Sequence, residues 1–488
     1  MQVLKNYIGG KWIESKSKRM LDNINPSTGE PINQGTLSTE DEVKEAVDSA
    51  VSAFKEWSET PIPKRVDYIF KLRELIVANE DKITELICEE NGKSIPDSLA
   101  EVKRLRQNID VACGMPTIMQ GKKLTAVSEG IDTDTIRLPI GPFAMIAPFN
   151  FPAMVPFWFM PYAVAAGNTY VLKPSEQAPN TQQYIFKLID QAGFPPGVLN
   201  LVNGDCMAVD ALLANQDIKG VSFVGQTSTA RKILEKCANT SKRCQSMGGA
   251  KNYLVIMPDA NLEKVIENMI TSCFGCAGQR CMAASVIACV GDDIYERTKK
   301  AFIDAADRMI VGNPLDPKYK DEKMLMGPVI SKAAKERILA SIETARTEGF
   351  KTILDKSKMA VEGGEGGFFV GPTIFSDVTP GSNTERTEIF GPVISMMKVD
   401  SLDAVLKILS DSPYGNGASI YTQNGAWARE FELKADCGMI GINLGVPAPV
   451  AYFPFGGMKQ SQLSDIKAQS YRVVDFFTEE KIITRRFF

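Results

Sequence analysis

The chain has 488 residues, with 55 lysines and arginines, 59 aspartates and glutamates, and no histidine. This length predicts two or more domains, because a single hydrophobic core stops growing well below it. The formal charge of −4 argues against a general binding surface for nucleic acids or other polyanions. Without histidine the chain cannot use Ser-His-Asp or Cys-His catalysis, and it lacks the commonest zinc ligand, so we expect no metal site.

The sequence has no features of a membrane or secreted protein. No apolar run reaches the length of a membrane-spanning helix, and the first twenty residues, MQVLKNYIGGKWIESKSKRM, contain no signal-peptide core. The ten cysteines are spread along the chain, which is typical of reduced thiols and not of a disulfide framework. We therefore expect a cytoplasmic protein that does not bind membranes.

Residues 60 to 115 are predicted to be helical. In the last part of this segment apolar residues recur every three or four positions, as on a buried helix face: Leu99, Val102, Leu105, Ile109 and Ala112. Three basic residues fall off this stripe: Lys103, Arg104 and Arg106. From spacing alone, these three form an ordinary solvated face.

Two segments are predicted to form exposed strands. Residues 122–138 alternate polar and apolar side chains with few helix signals, and the tail at 473–488 is interpreted in the same way. Both segments are exposed and partly apolar, which favours a role in subunit contact over a sheet edge left free in solvent. We therefore expect a homodimer or homotetramer.

From residue 141 short apolar runs alternate with helical stretches. The runs are FAMIAPFN, TYVLKP, VLNLVNG and VSFVG, and helices are predicted at 154–166, 181–192, 207–214 and 228–238. This alternation predicts a parallel sheet with crossover helices. Ligands bind such sheets beyond the carboxyl ends of the strands, so we expect FN, KPSE and GQTST to lie at the ligand-binding edge.

A second α/β region begins at the strand NYLVIM, residues 252–257. Within it, helices are predicted near 332–348, 402–411 and 426–436, and strands near 393–398, 417–421 and 439–443. The chain shows no internal sequence repeat.

Three cysteines fall within nine residues, at Cys273, Cys276 and Cys281. The first two share the apolar face of a predicted helix and are expected in the core. A metal cluster would need a fourth ligand, and none is nearby. Cys281 follows Gly278, which we expect to break the helix, and stands beside the cation Arg280. Backbone N–H groups and positive charge are expected to favour its thiolate, which makes it the candidate reactive thiol.

Seven motifs follow one another along the chain: APFNFP, LKPSE, FVGQT, SMGGAKN, GQRCMA, EIFGPV and PFGG. In this order and spacing they resemble the aldehyde dehydrogenase superfamily over nearly the whole chain. FNFP, AGQRCMA and MGGAKN are similar to the CoA-acylating methylmalonate-semialdehyde dehydrogenase group. The resemblance implies a Rossmann-like cofactor domain, an α/β catalytic domain and a small β ribbon for oligomerisation.

The resemblance assigns the chemistry to two residues. Cys281 would attack the aldehyde carbon and form a hemithioacetal anion. The side-chain amide of Asn150 and the backbone N–H of Cys281 would stabilise the oxyanion. Loss of hydride to a nicotinamide would leave a thioester. From the sequence alone, Asn150 would be an ordinary turn residue after a strand.

The cofactor is expected to be NAD. The usual G-x-G-x-x-G fingerprint is absent, but Gly225 permits close backbone approach and the next helix start favours phosphate. By resemblance, Lys173 and Glu176 hold the adenosine ribose, and Glu176 would repel the 2′-phosphate of NADP. Glu388 and Phe390 would hold the nicotinamide ribose and ring. The remaining residues expected at the cofactor are Ala147, Pro148, Phe149, Gln226, Met247 and Gly248.

One departure from the wider family concerns the acyl acceptor. Hydrolytic members usually carry a glutamate in an ELGGK motif, which activates the deacylating water. Here the aligned stretch is SMGGAK, with Ser246 in place of that glutamate and Ala250 inserted. A neutral serine is no comparable base near neutral pH. A thiol such as CoA needs less activation, so we expect CoA as the cosubstrate.

The resemblance also indicates a small, acidic aldehyde as substrate. Most family members have a small or neutral residue where this chain has Arg280, and the resembling group uses a second arginine that aligns with Arg104, with Arg106 as a nearby rival. Two guanidinium groups fit malonate or methylmalonate semialdehyde, and a sulfonated aldehyde would satisfy the same donors. Phe151 and Phe157 are expected in the same pocket.

These expectations give a division of the chain and leave rival functions. Residues 1–121 and 141–246 are assigned to the NAD-binding domain, 247–460 to the catalytic domain, and 122–140 and 472–488 to the oligomerisation strands. One rival is a non-acylating dehydrogenase of the succinate-semialdehyde type. Another is a catalytically inactive binding protein on this fold, against which the intact Cys281, Asn150 and Glu388 argue.

Overall fold

The computed structural model describes residues 1–319, 322 and 324–488. Its strands form two seven-stranded sheets, one three-stranded sheet and three short pairs. The strands are β1 Asn6–Ile8, β2 Lys11–Ile13, β3 Met20–Ile24, β4 Pro31–Thr36, β5 Lys123–Ser128, β6 Ile131–Pro139, β7 Pro142–Ile146, β8 Thr169–Lys173, β9 Leu199–Leu201, β10 Gly220–Val224, β11 Arg243–Met247, β12 Asn252–Ile256, β13 Ala284–Val290, β14 Ile310–Val311, β15 Leu325–Met326, β16 Lys351–Asp355, β17 Thr373–Ser376, β18 Val393–Val399, β19 Tyr414–Gly415, β20 Gly417–Tyr421, β21 Met439–Ile442, β22 Met458–Lys459 and β23 Thr478–Arg486.

Helices cover both faces of the two large sheets. They are α1 Glu40–Glu59, α2 Ile62–Ala78, α3 Glu80–Asn91, α4 Ile95–Cys113, α5 Met115–Ile118, α6 Met154–Phe157, α7 Met160–Ala166, α8 Asn180–Ala192, α9 Cys206–Ala214, α10 Thr227–Asn239, α11 Leu262–Phe274, α12 Asp292–Asp307, α13 Lys332–Thr347, α14 Asn383–Arg386, α15 Leu402–Asp411, α16 Gly425–Lys434 and α17 Val474–Phe477. Within the described residues, none of these helices has the length and apolar character needed to span a bilayer.

The first large sheet has the strand order β11-β10-β7-β8-β9-β1-β2. The strands from β11 to β9 pair in parallel, and β1 and β2 close one edge antiparallel. Successive side chains of β7 point to opposite faces: Phe143 packs with α2, α4 and α8, whereas Ala144 packs with α1, α9 and α10. Burial on both faces explains the continuous apolar runs in the sequence. The predicted crossover helices are confirmed to within one residue at α8, α9 and α10.

The second large sheet has the order β16-β17-β18-β13-β12-β20-β21. All its pairs are parallel except the edge pair β16–β17. Helices α11, α12 and α13 cover one face, and α15 and α16 cover the other. The strands and helices predicted for this region are confirmed within two residues. The two sheets with their helices confirm the predicted α/β fold class.

The third sheet, β23-β6-β5, stands apart from the other two. Strand β23 pairs with β6 antiparallel along its whole length, from Thr478 to Arg486. The tail begins this strand five residues later than predicted. Val474 and Phe477 are buried and belong to α17, where Phe477 packs edge-on against Phe143. An apolar run that faces the core at helical spacing was misinterpreted as a strand. The predicted domain boundaries and the role of this sheet in oligomerisation stay predictions.

The helical segment predicted at 60–115 is interrupted twice. Asn79 separates α2 from α3, and Gly92, with φ of +82°, ends α3. Helix α4 then begins after Ser94, whose hydroxyl accepts a hydrogen bond from the backbone N–H of Asp97. This capped start matters for the site, because α4 places one polar face against the loops that carry the candidate residues.

Candidate active site

A tight left-handed turn between α11 and β13 carries Cys281. Helix α11 ends at Phe274, and the following Cys276, Ala277 and Gly278 have φ values of +52°, +53° and +73°. Non-glycine residues adopt this region only with strain. A Cβ at Gly278 would lie 2.3 Å from a carbonyl oxygen of a neighbouring loop. The prediction that Gly278 ends the helix is therefore wrong by four residues, and the glycine instead permits the turn that follows the helix.

The two upstream cysteines have different surroundings. Cys273 is buried in the apolar core beside α11, as predicted. Cys276 is also buried, but it lies beyond the helix. Nε of Arg280 lies 3.1 Å from its Sγ, and the carboxylate of Asp97 lies 3.6 Å away. The prediction that Cys276 shares the apolar helix face is wrong, because the left-handed turn places it against the polar face of α4. All ten cysteines lie in the described part of the chain and are free thiols.

Two asparagine side chains fix the main chain at Cys281. Nδ2 of Asn252 and Nδ2 of Asn416 donate to the carbonyl oxygen of Cys281 at 2.9 and 2.8 Å. Asn252 also donates to the carbonyl oxygen of Ala283 at 2.9 Å. Cys281 as a residue is half-buried, and its backbone is held rigidly at this position. Sequence reasoning missed both asparagines, although Asn252 ends the quoted motif SMGGAKN.

The surroundings of the Cys281 thiol act against its ionisation in the ligand-free protein. Burial raises its pKa to about 12, and the nearby Glu388 carboxylate acts in the same direction. The backbone N–H groups of Cys281 and Met282 and the Arg280 guanidinium lower the pKa, but by less. The contribution that we expect from a bound cofactor stays a prediction, but the backbone donors and cations alone do not favour the thiolate in the ligand-free protein. In this structure desolvation outweighs them.

Asn150 connects the first sheet to the loop of Cys281. It follows β7, is only 6% exposed, and donates from Nδ2 to the carbonyl oxygen of Gln279 at 3.0 Å. The Gln279 side chain in turn accepts from the backbone N–H of Ile330 at 3.0 Å. One N–H of the Asn150 amide is thus used to hold it beside Cys281, and the second remains available to a ligand oxygen.

Helices α3 and α4 fix the segment that follows β7. Asn91 donates to the carbonyl oxygen of Phe149 at 2.9 Å. The carboxylate of Glu101 accepts from the backbone N–H groups of Ala153 and Met154 at 2.8 and 3.0 Å, and it is also paired with the buried Lys93. Sequence reasoning missed this buried pair. It holds in place the main chain on either side of Asn150.

The predicted pocket aromatics differ in exposure. The ring centroid of Phe151 lies 3.7 Å from the ammonium group of Lys93, and Phe151, like Cys281, packs against the edge of the first core. Phe157 is 0% exposed inside the same core, so in this structure it presents no surface to a ligand. Its part in substrate binding stays a prediction, and its observed role is to support the wall to which Phe151 belongs.

The carboxyl ends of β7, β8 and β10 meet at one edge of the first sheet, as predicted. Ala147 follows β7, and its N–H donates to the carbonyl oxygen of Lys173 at 3.0 Å. The buried ammonium of Lys173 donates to Glu176 at 2.8 Å and to the carbonyl oxygen of Gly204 at 2.7 Å. Glu176 keeps part of its carboxylate exposed. At this edge the Glu176 carboxylate can accept a hydrogen bond and the Lys173 ammonium can donate one, which suits the hydroxyls of a ribose.

The start of helix α10 offers free backbone donors. Its N-cap, Gln226, makes no side-chain capping bond, so the first N–H groups remain open to an anion. The N–H of Gly225 is bound to the carbonyl oxygen of Met247 at 3.1 Å, and the hydroxyl of Thr227 accepts from the N–H of Gly249 at 2.9 Å. The neighbouring Gly248, Pro148 and Phe149 complete this edge. These groups fit the phosphates of a dinucleotide.

The second domain contributes Glu388 and Phe390. Glu388 accepts from the N–H of Ala250 at 2.9 Å, and burial raises its pKa to about 7. Phe390 has a φ of +53° and meets Phe149 edge-on, with ring centroids 6.0 Å apart. The structure thus brings the EIFGP segment to the edge of the first sheet, next to the loop of Cys281.

Ser246 does not face the reactive thiol. Its side chain is 0% exposed, and its hydroxyl donates to the carbonyl oxygen of Ala230 in α10 at 2.7 Å. The sequence comparison placed this serine where a hydrolytic glutamate would stand. In the structure it serves to join β11 to α10. Among the described residues, no cluster of three or more potential metal ligands occurs either.

The arginine candidates face different partners. Arg280 pairs with Asp97 at 2.5 Å, so part of the guanidinium that was expected to bind the substrate is already used. Arg106 lies 3.6 Å from Glu80 of α3 and faces that helix. Arg104 donates to Gln107 at 3.0 Å, and no ion pair to it occurs among the residues that the structure describes. The charge of Arg104 is therefore uncompensated by any described carboxylate, whereas the charge of Arg106 is paired with Glu80.

Comparison with known proteins covers the whole chain. The sequence model described as the aldehyde dehydrogenase family matches residues 12–483. Malonate-semialdehyde dehydrogenase 1 of Geobacillus thermodenitrificans (strain NG80-2) is 42% identical over 486 residues, which is 100% of this chain and 99% of that protein. Malonate-semialdehyde dehydrogenase 2 of Bacillus thuringiensis (strain Al Hakam) is 43% identical over 99% of this chain and 98% of its own.

Solved structures give the same result. A protein from Sinorhizobium meliloti 1021, described as a methylmalonate-semialdehyde dehydrogenase and complexed with NAD, superposes with a TM-score of 0.97 at 37% identity. The alignment covers 100% of this chain and 98% of that one. The methylmalonate-semialdehyde dehydrogenase of Oceanimonas doudoroffii superposes with a TM-score of 0.96 at 38% identity, over 100% and 99% of the two chains.

Proposed function

Because the chain belongs to the aldehyde dehydrogenase family, we propose that it oxidises a short acidic aldehyde with NAD and transfers the acyl group to CoA. The substrate class is that of malonate or methylmalonate semialdehyde, as the names of similar proteins indicate. The observation that carries the proposal is the half-buried Cys281 on a backbone held by two asparagines, between Asn150 and Glu388.

The reaction starts with the Cys281 sulfur. Its proton passes to solvent water, and the resulting thiolate attacks the aldehyde carbon. The resulting oxyanion accepts hydrogen bonds from the backbone N–H of Cys281 and from the free N–H of the Asn150 amide. NAD, when bound, supplies the hydride acceptor. The oxidised carbon then remains on Cys281 as a thioester. The thiolate of CoA attacks this carbon, and the Cys281 thiolate leaves.

The residues at the sheet edge fit NAD. Lys173 and Glu176 would hold the adenosine ribose, and the open start of α10 after Gln226 would take the phosphates. Glu388 and Phe390 would hold the nicotinamide ribose and ring. A 2′-phosphate would bring its charge against the carboxylate of Glu176, so NAD is favoured over NADP.

A second candidate function, hydrolysis of the thioester, is favoured by one observation. Burial raises the pKa of Glu388 to about 7, and the charge of this carboxylate raises the pKa of Cys281. Glu388 is therefore a carboxylate near the thiol that could activate water. Against this stands the N–H of Ala250, which already occupies one oxygen of Glu388. Ser246, the residue at the hydrolytic position, is bound to α10. We therefore retain CoA as the acceptor.

The first test follows NADH formation from malonate semialdehyde with and without CoA. We expect steady turnover with CoA, and about one NADH per active site without it, because the thioester then has no acceptor. Glu388→Gln is the informative variant, since it removes the carboxylate whose charge acts on Cys281. Full turnover of the wild type without CoA would overturn acyl transfer. Loss of that turnover in Glu388→Gln, with the first equivalent of NADH still formed at saturating NAD, would assign hydrolysis to Glu388.

The chain is also proposed to form a homo-oligomer in the cytoplasm. The ribbon of β5, β6 and β23 presents large apolar side chains to solvent, with Leu124 65% and Ile482 70% exposed. Residues of this kind on an edge sheet are typical of a subunit contact. Ten free thiols fit a reducing compartment. Light scattering of the purified chain tests the assembly, and a monomer at all concentrations would contradict it.

A further inference from the structure

Asp97, which the sequence did not single out, joins α4 to the turn that carries Cys281. One carboxylate oxygen lies 2.5 Å from the Arg280 guanidinium, and the other accepts from the backbone N–H of Cys276 at 3.1 Å. Burial raises the pKa of Asp97, but Arg280 and the Cys276 N–H outweigh it and hold the pKa below its usual value. Asp97 is therefore an anion, and it compensates the charge of Arg280.

The same face of α4 contacts three loops of the site. Asp97, Glu101, Arg104 and Asn108 follow at intervals of three or four residues, which aligns them along one side of a helix. Asp97 meets the turn before Cys281, and Glu101 caps the segment after Asn150. Asn108 donates to Gln469, whose side chain donates to three carbonyl oxygens between residues 449 and 453. Arg104 lies between these residues on the same side of the helix and is half-buried, which places it next to the loops they contact.

The charges on this face are almost all paired. Glu101 is compensated by Lys93, and Arg280 by Asp97. Within the described part of the chain, Arg104 has no ion-pair partner. The α4 side of the pocket therefore carries one net positive charge, located at Arg104. Even a half-buried net charge attracts an ion of opposite sign more strongly than a neutral pair does.

We infer that Asp97 is a specificity-determining residue, because it cancels the charge of Arg280 and so matches the pocket to an aldehyde with a single anionic group. The three nitrogens of Arg280 already contact Cys276, Thr271 and Asp97. Only the second N–H of each terminal nitrogen is therefore left for that group, while Arg104 supplies the net charge. This inference rests on the proposed function, since it concerns the acid end of the same substrate. A compound with two negative charges should be accepted poorly as long as Asp97 is ionised.

The variant Asp97→Asn removes the negative charge of Asp97 and is designed to leave the structure of the turn before Cys281 unchanged. Asparagine has the same shape, and its side-chain oxygen can still accept from the Cys276 N–H, so the turn remains anchored. The net charge of the pocket rises by one. We would measure inhibition against the aldehyde by malonate, a dianion, and by propionate, a monoanion. We expect Asp97→Asn to improve binding of malonate relative to propionate by about tenfold.

Asp110→Asn is the matched control. Asp110 also lies on α4 and also pairs with an arginine, Arg73 of α2, but on the outer side of the helix. We expect the ratio of the inhibition constants of malonate and propionate in Asp110→Asn to equal that of the wild type. The double variant Asp97→Asn with Arg280→Gln restores a single positive charge, and we expect the wild-type ratio to return. An unchanged ratio in Asp97→Asn, or the same change in Asp110→Asn, would overturn the inference.

A further variant covers the case that Asp97→Asn does not fold. Arg280→Gln alone leaves Asp97 uncompensated and brings the net charge to zero, so malonate should bind less well relative to propionate. No change in this ratio would also overturn the inference. The proposed function has a separate readout. If the wild-type protein does not prefer malonate semialdehyde over propanal, the proposed function is refuted. If Asp97→Asn keeps that preference and the ratio of the inhibition constants of malonate and propionate does not change, only the role of Asp97 is refuted.

Discussion

Cys281→Ser is expected to reduce NADH formation by at least about 10⁴-fold. A serine hydroxyl is far less acidic than a thiol, and this chain has no histidine to remove its proton. The variant should fold normally, because Asn252 and Asn416 bind the backbone carbonyl at this position and not the sulfur. Binding of NAD, followed by fluorescence, should be retained.

The control for this variant is Cys289→Ser. Cys289 lies eight residues further along the chain in strand β13 and is buried away from the turn, so its loss should leave turnover within about threefold of the wild type. Activity of Cys281→Ser above one tenth of the wild type would show that another group, with Cys276 the nearest candidate, forms the covalent bond.

Arg104→Gln is expected to lower kcat/KM for malonate semialdehyde by about 100-fold, because the acid end of the substrate loses a cation that has no ion-pair partner among the described residues. Propanal has the same chain length without the acid group, and its kcat/KM should change by less than about threefold. The ratio of the two values, measured on one preparation, separates a loss of charge recognition from general damage.

Arg106→Gln is the matched control, since it makes the same change two residues away on the same helix. The Arg106 guanidinium faces Glu80 of α3, and we expect little effect on either aldehyde. Equal losses for malonate semialdehyde and propanal in Arg104→Gln would remove Arg104 from the acid site. A larger selective loss in Arg106→Gln would exchange the two assignments.

The elements near the cofactor edge could be predicted because their signals are local. Buried parallel strands such as β7 and β8 are short apolar runs, and they end in turn residues where ligands bind. The bounds of α8, α9 and α10 followed from periodicity to within one residue. The end of α11 could not be predicted, because Cys276 and Ala277 adopt left-handed backbone that their residue types do not favour.

The electrostatics of the site depend on long-range contacts that no local pattern reveals. Asp97 and Arg280 are 183 residues apart in sequence, so a cation beside Cys281 was expected to favour the thiolate, whereas it is paired with a carboxylate. Glu388 also comes from a distant segment, and it raises the pKa of Cys281. The residue types at the site were visible in the sequence, but the pairing of their charges was not.

The most direct test of this account is to observe the acyl group on Cys281. The protein would be mixed with malonate semialdehyde and NAD in the absence of CoA, quenched in acid and digested with pepsin. Trypsin is unsuitable, because cleavage after Arg280 would free the amine of Cys281 and allow the acyl group to migrate. Mass spectrometry should then find one acyl group on Cys281, and it should disappear when CoA is added before the quench. NADH formed in one equivalent per site, with an unmodified Cys281 or an acyl group on another residue, would contradict the account.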